Sequence, residues 1–310
     1  MDVPQALSSL QTVDYPQDKI EVIVARGRRP ARQRNRAAAA ASGDVLFFLD
    51  DDSHADRALF RRNVSFYSDP TVAGVGGPAL PLPPRTTVEA ASDLVLASIF
   101  GDYRGCKRFA SRGSVRRASE DEIILCNLSM RRDVFESFHG FHDGLYPNEE
   151  NALFQKVLDS GEDLHFVYVP DAVIRRPRPA SLREFAAKLF RYGTGRFEQT
   201  LEEPSLVCAL RMASVAFPLY WLCLPLLAYF TPWAFVPAAL YAAGGLAMSG
   251  RIYLTVRSVK LAVAALALFP VMHFVYPAGI LWAATVRQIV GRGLDEGEIT
   301  VEKLKEFGSS

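Results

Sequence analysis

The sequence predicts an α/β domain with a mainly parallel sheet over residues 1 to 200, followed by a C-terminal module of transmembrane helices. Two observations carry this reading. Up to about residue 200, short apolar runs of strand length alternate with helical or polar stretches. Beyond Pro204 the charged residues thin out and return only near the end, so the 49% hydrophobic average covers two different solvents.

The strands come first. IEVIVA (20–25), DVLFFL (44–49) and HFVYVP (165–170) read as buried strands, and VAGVGGP (72–78) opens another. Between the first two lies RGRRPARQRNRAAAAASG, whose alanine run favours helix and whose Gly43 supplies the stop. Strands separated by helices imply a mainly parallel sheet. The proline-rich PALPLPPR (78–85) is the one linker-like stretch, and no internal repeat stands out.

The C-terminal part divides into three expected spans, 212–230, 233–249 and 261–285. The first carries no charge, and at about 1.5 Å per helical residue it covers about 28 Å, close to the hydrocarbon thickness. Only Thr231 and Pro232 link it to the second, so the two form a hairpin. Arg251, Arg257 and Lys260 mark a cytoplasmic loop, in agreement with Arg191, Arg196 and Arg211 before the first span. The third span is interrupted by Pro270, His273 and Pro277. A full crossing there sends Arg287, Arg292 and the charged tail (291–310) outside, so a re-entrant segment is its alternative. The expected domains are therefore 1–200, a membrane module over 201–290 and the tail.

Composition excludes several classes of function. The 35 Lys and Arg against 34 Asp and Glu leave a net charge of +1, with no global field toward nucleic acid. Cys106, Cys126, Cys208 and Cys223 form neither a CxxC metal pattern nor a secreted disulfide scaffold. MDVPQALSSL lacks the features of a signal peptide, which places the first two hundred residues on the cytosolic side.

The acids at Asp50, Asp51 and Asp52 follow directly on an apolar strand, where ligand crevices of open α/β sheets lie. Side chains two apart in an extended segment share a face, so Asp50 and Asp52 together suit a hard divalent ion, Mg2+ or Mn2+, bridging to a diphosphate. A solvated loop with helix-capping acids is the bland alternative. Glu149 and Glu150 in YPNEENALF form a second acidic pair, which by itself also reads as a solvated helix N-terminus. The cluster Arg26, Arg28, Arg29, Arg32, Arg34 and Arg36 lacks interleaved aromatic residues, which disfavours nucleic acid.

FFLDDDS resembles the metal-binding Asp-x-Asp segment of family 2 glycosyltransferases, inverting enzymes with a Rossmann-like GT-A fold. CNLSMRRDVFESFHGFHDGLYPNEENALFQKV resembles the family's acceptor-side block, and RRPRPASLREFAAKLFRYGTGR resembles the segment where related enzymes carry Gln-x-x-Arg-Trp. The three blocks stand in family order. The resemblance implies donor contacts from Arg34, Asn35, Asp50, Lys188, Arg191 and Tyr192, acceptor contacts from Asn127 and Arg131, and metal ligation by Asp50 and Asp52. It implies Glu150 as the base, with Glu149 in reserve. The chain departs from the family in beginning at what resembles the helix after the first strand, and in having Ala25 and Arg26 where an acidic pair is usual.

The expected function is transfer of a sugar from a nucleoside diphosphate sugar to a lipid-linked or saccharide acceptor by a multi-pass membrane protein, with the catalytic domain cytoplasmic and among membrane lipids. The alternative is a non-catalytic membrane subunit that keeps the fold and binds a partner or lipid. A cation-transporter component fits less well, because the spans lack paired charges.

Overall fold

The computed structural model describes residues 5–102, 105–119, 121–204, 206–287, 289 and 298–304. In chain order the elements are α1 (Gln5–Leu10), β1 (Val22–Arg26), α2 (Pro30–Ala40), β2 (Val45–Phe48), β3 (His54–Ala55), α3 (Leu59–Val64), β4 (Val72–Gly76), β5 (Ala79–Pro81) and α4 (Thr87–Leu96). There follow β6 (Arg116–Ala118), β7 (Leu128–Arg131), α5 (Arg132–Ser137), α6 (Glu149–Leu158), β8 (His165–Tyr168) and β9 (Ile174–Arg176). The C-terminal elements are α7 (Leu182–Glu202), α8 (Leu206–Met212), α9 (Ala216–Phe230), α10 (Val236–Val256), α11 (Val259–Trp282) and β10 (Thr300–Leu304).

The chain forms two units. One comprises residues 1–82, 107–177 and 294–310, and the other 83–106 and 178–293. The divide does not fall at residue 200, because α4 and α7 belong with the C-terminal helices, and the end of the chain returns to the first unit.

In the first unit the four expected strands all form, as β1, β2, β4 and β8, and the arginine-alanine stretch forms α2 with Pro30 at its first turn. The main sheet has the order β2-β7-β4-β8-β6. It is mixed rather than mainly parallel. Strands β2 and β4 both run antiparallel to β7, which inserts between them, and β6 runs antiparallel to β8; only β4 and β8 are parallel neighbours. The expectation missed β7 because LSMR is short and half polar, although three of its four residues are buried. Leu46, Phe48, Leu128, Met130, Phe166 and Tyr168 from these strands pack with Phe135 of α5 and Phe154 and Val157 of α6 into one core. Strand β1 stands apart, paired antiparallel with β10 from Val22↔Leu304 to Arg26↔Thr300. Part of the expected charged tail is thus a strand, while residues 291–297 and 305–310 lie outside the described residues. A third sheet, β3-β9-β5, is short but functionally placed, since β3 directly follows the acidic run.

In the second unit, α7 is amphipathic, burying Phe185, Leu189 and Gly193, and it crosses α11 closely. A Cβ added at Gly193 would collide with the Tyr276 carbonyl, and one at Gly279 with the Phe190 carbonyl. Among the described residues, two helical stretches are long and apolar enough to cross a membrane, Cys208–Phe230 and Val259–Val286. The second expected span, 233–249, lies outside that pair: it covers part of the Pro232–Phe235 turn and the first two thirds of α10, which runs on past it through Arg251. Helix α11 continues through Pro270 and Pro277. His273 within it is satisfied on both ring nitrogens: Nε2 faces the Phe100 carbonyl at 2.9 Å and Nδ1 the Tyr241 hydroxyl at 2.9 Å. Because a carbonyl only accepts, Nε2 donates and Nδ1 accepts.

Candidate functional site

The acidic run leaves β2 at its C-terminal end, as the sequence implies, and β3 turns it toward β9. The β3–β9 register pairs His54 with Arg175 and Ala55 with Ile174, which carries Arg176 alongside Asp52. Arg176 Nη1 donates to Asp50 Oδ2 at 3.0 Å, and its Nη2 to Asp52 Oδ2 at 2.9 Å. From the other side, Arg34 of α2 donates through Nη2 to Asp50 Oδ1 at 2.8 Å and through Nη1 to Glu149 Oε1 at 2.7 Å. The result is an unbroken charge series of carboxyl and guanidinium side chains, Glu149–Arg34–Asp50–Arg176–Asp52, drawn from α6, α2, the β2–β3 turn and β9.

Helix α6 presents the acidic pair because Asn148, in the left-handed conformation at φ 86°, turns the chain immediately before it. Asparagine tolerates that region better than most residues. Both glutamates open the helix, where its dipole favours negative charge, and both are buried. Burial, and next the charge of Glu150, push the Glu149 carboxyl up to about 8, against the opposing pull of Arg34. Glu150 is held more loosely, its Oε1 lying 3.8 Å from Arg108 Nη1. Burial also pulls on Asp50, but Arg176 and Arg34 outweigh it and hold that carboxyl below the ordinary carboxylate range.

The structure therefore brings together Arg34, Asp50, Asp52, Glu149 and Glu150 of the expected residues. Others are committed elsewhere. Asn35 anchors the 139–143 loop, its Nδ2 donating to the Phe141 carbonyl at 2.7 Å and its Oδ1 accepting from the Phe141 amide at 2.9 Å. Asn127, expected on the acceptor, is buried, with Nδ2 donating to the carbonyls of Pro78 and Ala172 at 3.1 and 2.7 Å. Arg131 donates to the carbonyls of Val72, Tyr67 and Asp69. These three side chains hold backbone together. Lys188, Arg191 and Tyr192 lie on α7 in the second unit, Lys188 Nζ standing 5.7 Å from the centre of the Tyr192 ring.

Arg176 and Arg108 are the site residues that sequence reasoning passed over. The run RRPRP contains Arg176, but nothing local marks one arginine in it as the partner of acids more than a hundred positions away. An open depression of about 1070 Å³, lined by residues 11–17 with Arg57 and Arg61, shares no residue with the charge series.

A divalent ion, implied by the acidic run, has a limited set of ligands here. Among the described residues no group of three or more His, Cys, Asp or Glu side chains converges. Both oxygens of Asp50 and one of Asp52 already accept from arginine, whereas Asp52 Oδ1 is enclosed and accepts no hydrogen bond. That free oxygen fits an ion of the kind held by one or two carboxylates and completed by substrate phosphates and water.

The model of the family described as glycosyl transferase family 2 matches residues 3–135. The O-antigen chain rhamnosyltransferase RfbN of Salmonella typhimurium is 26% identical over 164 residues, covering 52% of this chain and 50% of the relative. The pre-mycofactocin glycosyltransferase of Mycobacterium tuberculosis is 25% identical over 181 residues, covering 58% of this chain and 37% of the relative. This chain thus spans half or less of the length of these curated relatives. Among solved structures, the mannosyltransferase PcManGT from Pyrobaculum calidifontis, in complex with GDP-Man and Mn2+, is similar with a TM-score of 0.53 at 18% identity, covering 93% of this chain and 83% of that one. Residues 3–135 thus match glycosyl transferase family 2, and the fold of the chain is similar to that of a GT-A glycosyltransferase.

Proposed function

We propose that the chain transfers a sugar, with inversion, from a nucleoside diphosphate sugar to a lipid-linked or polysaccharide acceptor at the cytoplasmic face of a membrane. The observation that carries this reading is the charge series, which ties the acidic run at the end of β2 to the acidic pair opening α6 through Arg34. The glycosyltransferase relatives and a neighbour complexed with GDP-Man and Mn2+ support the donor class. The two apolar helical stretches support the membrane setting.

The reaction is a single displacement. The acceptor hydroxyl oxygen attacks the anomeric carbon while the bond from that carbon to the diphosphate oxygen breaks, and the nucleoside diphosphate leaves with the bonding pair. Displacement from the opposite face inverts the centre. Glu150, beside Glu149 at the start of α6, takes the hydroxyl proton. Arg34 and Arg176 offset the negative charge gathering on the leaving group. Asp50 and Asp52 would hold a bound Mg2+ or Mn2+, whose chemistry is further neutralisation of the diphosphate.

Glu150→Gln is expected to retain donor binding while lowering the single-turnover rate by about 10² to 10⁴. Glu149→Gln should be milder. The test pairs donor titration with single-turnover transfer to lipid extracts, using the detergent-solubilised protein. Wild-type rates in both variants would remove the base assignment; donor binding without transfer to any extract would favour the non-catalytic subunit.

A further inference from the structure

Arg176 occupies the position between two carboxylates where a bridging ion is expected. Its guanidinium spans Asp50 and Asp52 with contacts of 3.0 and 2.9 Å, and its side chain is 18% exposed. The planar fork matches two carboxylate oxygens at once and stays charged at every relevant pH. Arg34 takes the other oxygen of Asp50. Two fixed positive charges thus already compensate Asp50 and Asp52, and a divalent ion entering alone would bring two more into a partly buried site. The diphosphate of a donor brings the negative charge that balances the addition. Without it, ion and guanidinium compete for the same oxygens.

We propose that Arg176 is a positioning residue that holds Asp50 and Asp52 in the donor-free protein and competes with a divalent cation for them, so that the cation binds tightly only together with a nucleoside diphosphate. This rests on the glycosyltransferase reading and adds to it an order of binding. Asp52 Oδ1, enclosed and without a hydrogen-bond partner, is the carboxylate oxygen of this pair that Arg34 and Arg176 leave available, and it would help hold the ion. Displacing the guanidinium from Asp50 and Asp52 leaves its donors available to phosphate oxygens.

The measurement is Mn2+ binding to the full-length, detergent-solubilised protein without donor, followed by the paramagnetic signal of the free ion, and its repetition with saturating GDP or UDP. Wild type is expected to bind Mn2+ alone weakly and at least about tenfold more tightly with the nucleotide, one decade being about 1.4 kcal/mol. Arg176→Gln should bind Mn2+ alone at least about tenfold more tightly than wild type, with a smaller gain from nucleotide. Arg176→Lys, which keeps the charge but loses the fork, should fall between them and serves if the glutamine variant does not fold. Adding Asp52→Asn to Arg176→Gln should abolish the gain. Wild type binding Mn2+ equally well with and without nucleotide, or both Arg176 variants binding the ion alone no better than wild type, would overturn the proposal. If neither nucleotide binds wild type at any Mn2+ concentration, the donor reading fails instead, while tighter ion binding by Arg176→Gln alone would still support the competition.

Discussion

Burial and the neighbouring charge of Glu150 hold a proton on Glu149 to about pH 8, and this couples one side chain to the stability of the fold. In the unfolded chain the same carboxyl releases its proton near its ordinary value, so between the two values the folded state binds the extra proton. Stability should therefore fall as pH rises from about 4.5 toward about 8, the opposite of the usual carboxylate, and flatten above that range. Glu149→Gln should remove this slope. Thermal unfolding midpoints of the two proteins across that range are the check, and parallel curves would show that Glu149 does not carry the effect. Asp50 has the contrary sign. Arg176 and Arg34 hold its pKa below the ordinary value, so its contribution is present above that value and lost as pH falls through the depressed one.

Among the elements, α7 and α11 depend on contact without side chains. Gly193 and Gly279 let the two backbones meet, and neither site has room for a Cβ. Gly193→Leu should separate the helices and cost about 1–3 kcal/mol or more, because an inserted side chain must displace backbone rather than a flexible neighbour. A lowered unfolding midpoint with the Mn2+ response unchanged would place the damage in the second unit; an unaltered midpoint would contradict the crossing. At the other helix ends the stabilisation is local. Thr86 caps α4 in a capping box with Glu89, the Thr86 hydroxyl accepting from the Glu89 amide at 3.1 Å and Glu89 accepting from the Thr86 amide at 3.2 Å. Loss of such a cap costs about 0.5–2 kcal/mol.

For the molecule as a whole, the second unit carries an extensive exposed apolar surface. Leu222, Tyr229, Phe230, Trp233 and Leu240 are 76, 84, 74, 77 and 68% exposed along α9, the turn after it and α10. In the proposed membrane setting, hydrocarbon removes the cost of exposing these side chains to water. On the proposed topology, with Arg251 and Arg257 on the cytoplasmic side, a cysteine introduced at Thr255 should be protected from impermeant thiol reagents in intact cells and labelled after permeabilisation. Labelling in intact cells would reverse the orientation.

Local pattern was enough to place β1, β2, β4, β8 and α2, because each rests on a run of apolar residues or helix formers visible within its own segment. It was also enough to single out Asp50, Asp52, Glu149 and Glu150, since adjacent acids at the ends of apolar elements are visible in one dimension. Tertiary structure decided the rest. Strand β7 inserts antiparallel because its partners β2 and β4 offer it two edges, which a four-residue segment with a serine and an arginine cannot announce. Asn127 and Arg131 became struts for backbone carbonyls once that strand was in place. Arg176 reached the acids only through the β3–β9 register, and an ion pair between residues 124 positions apart is fixed by the path of the chain between them, not by either neighbourhood.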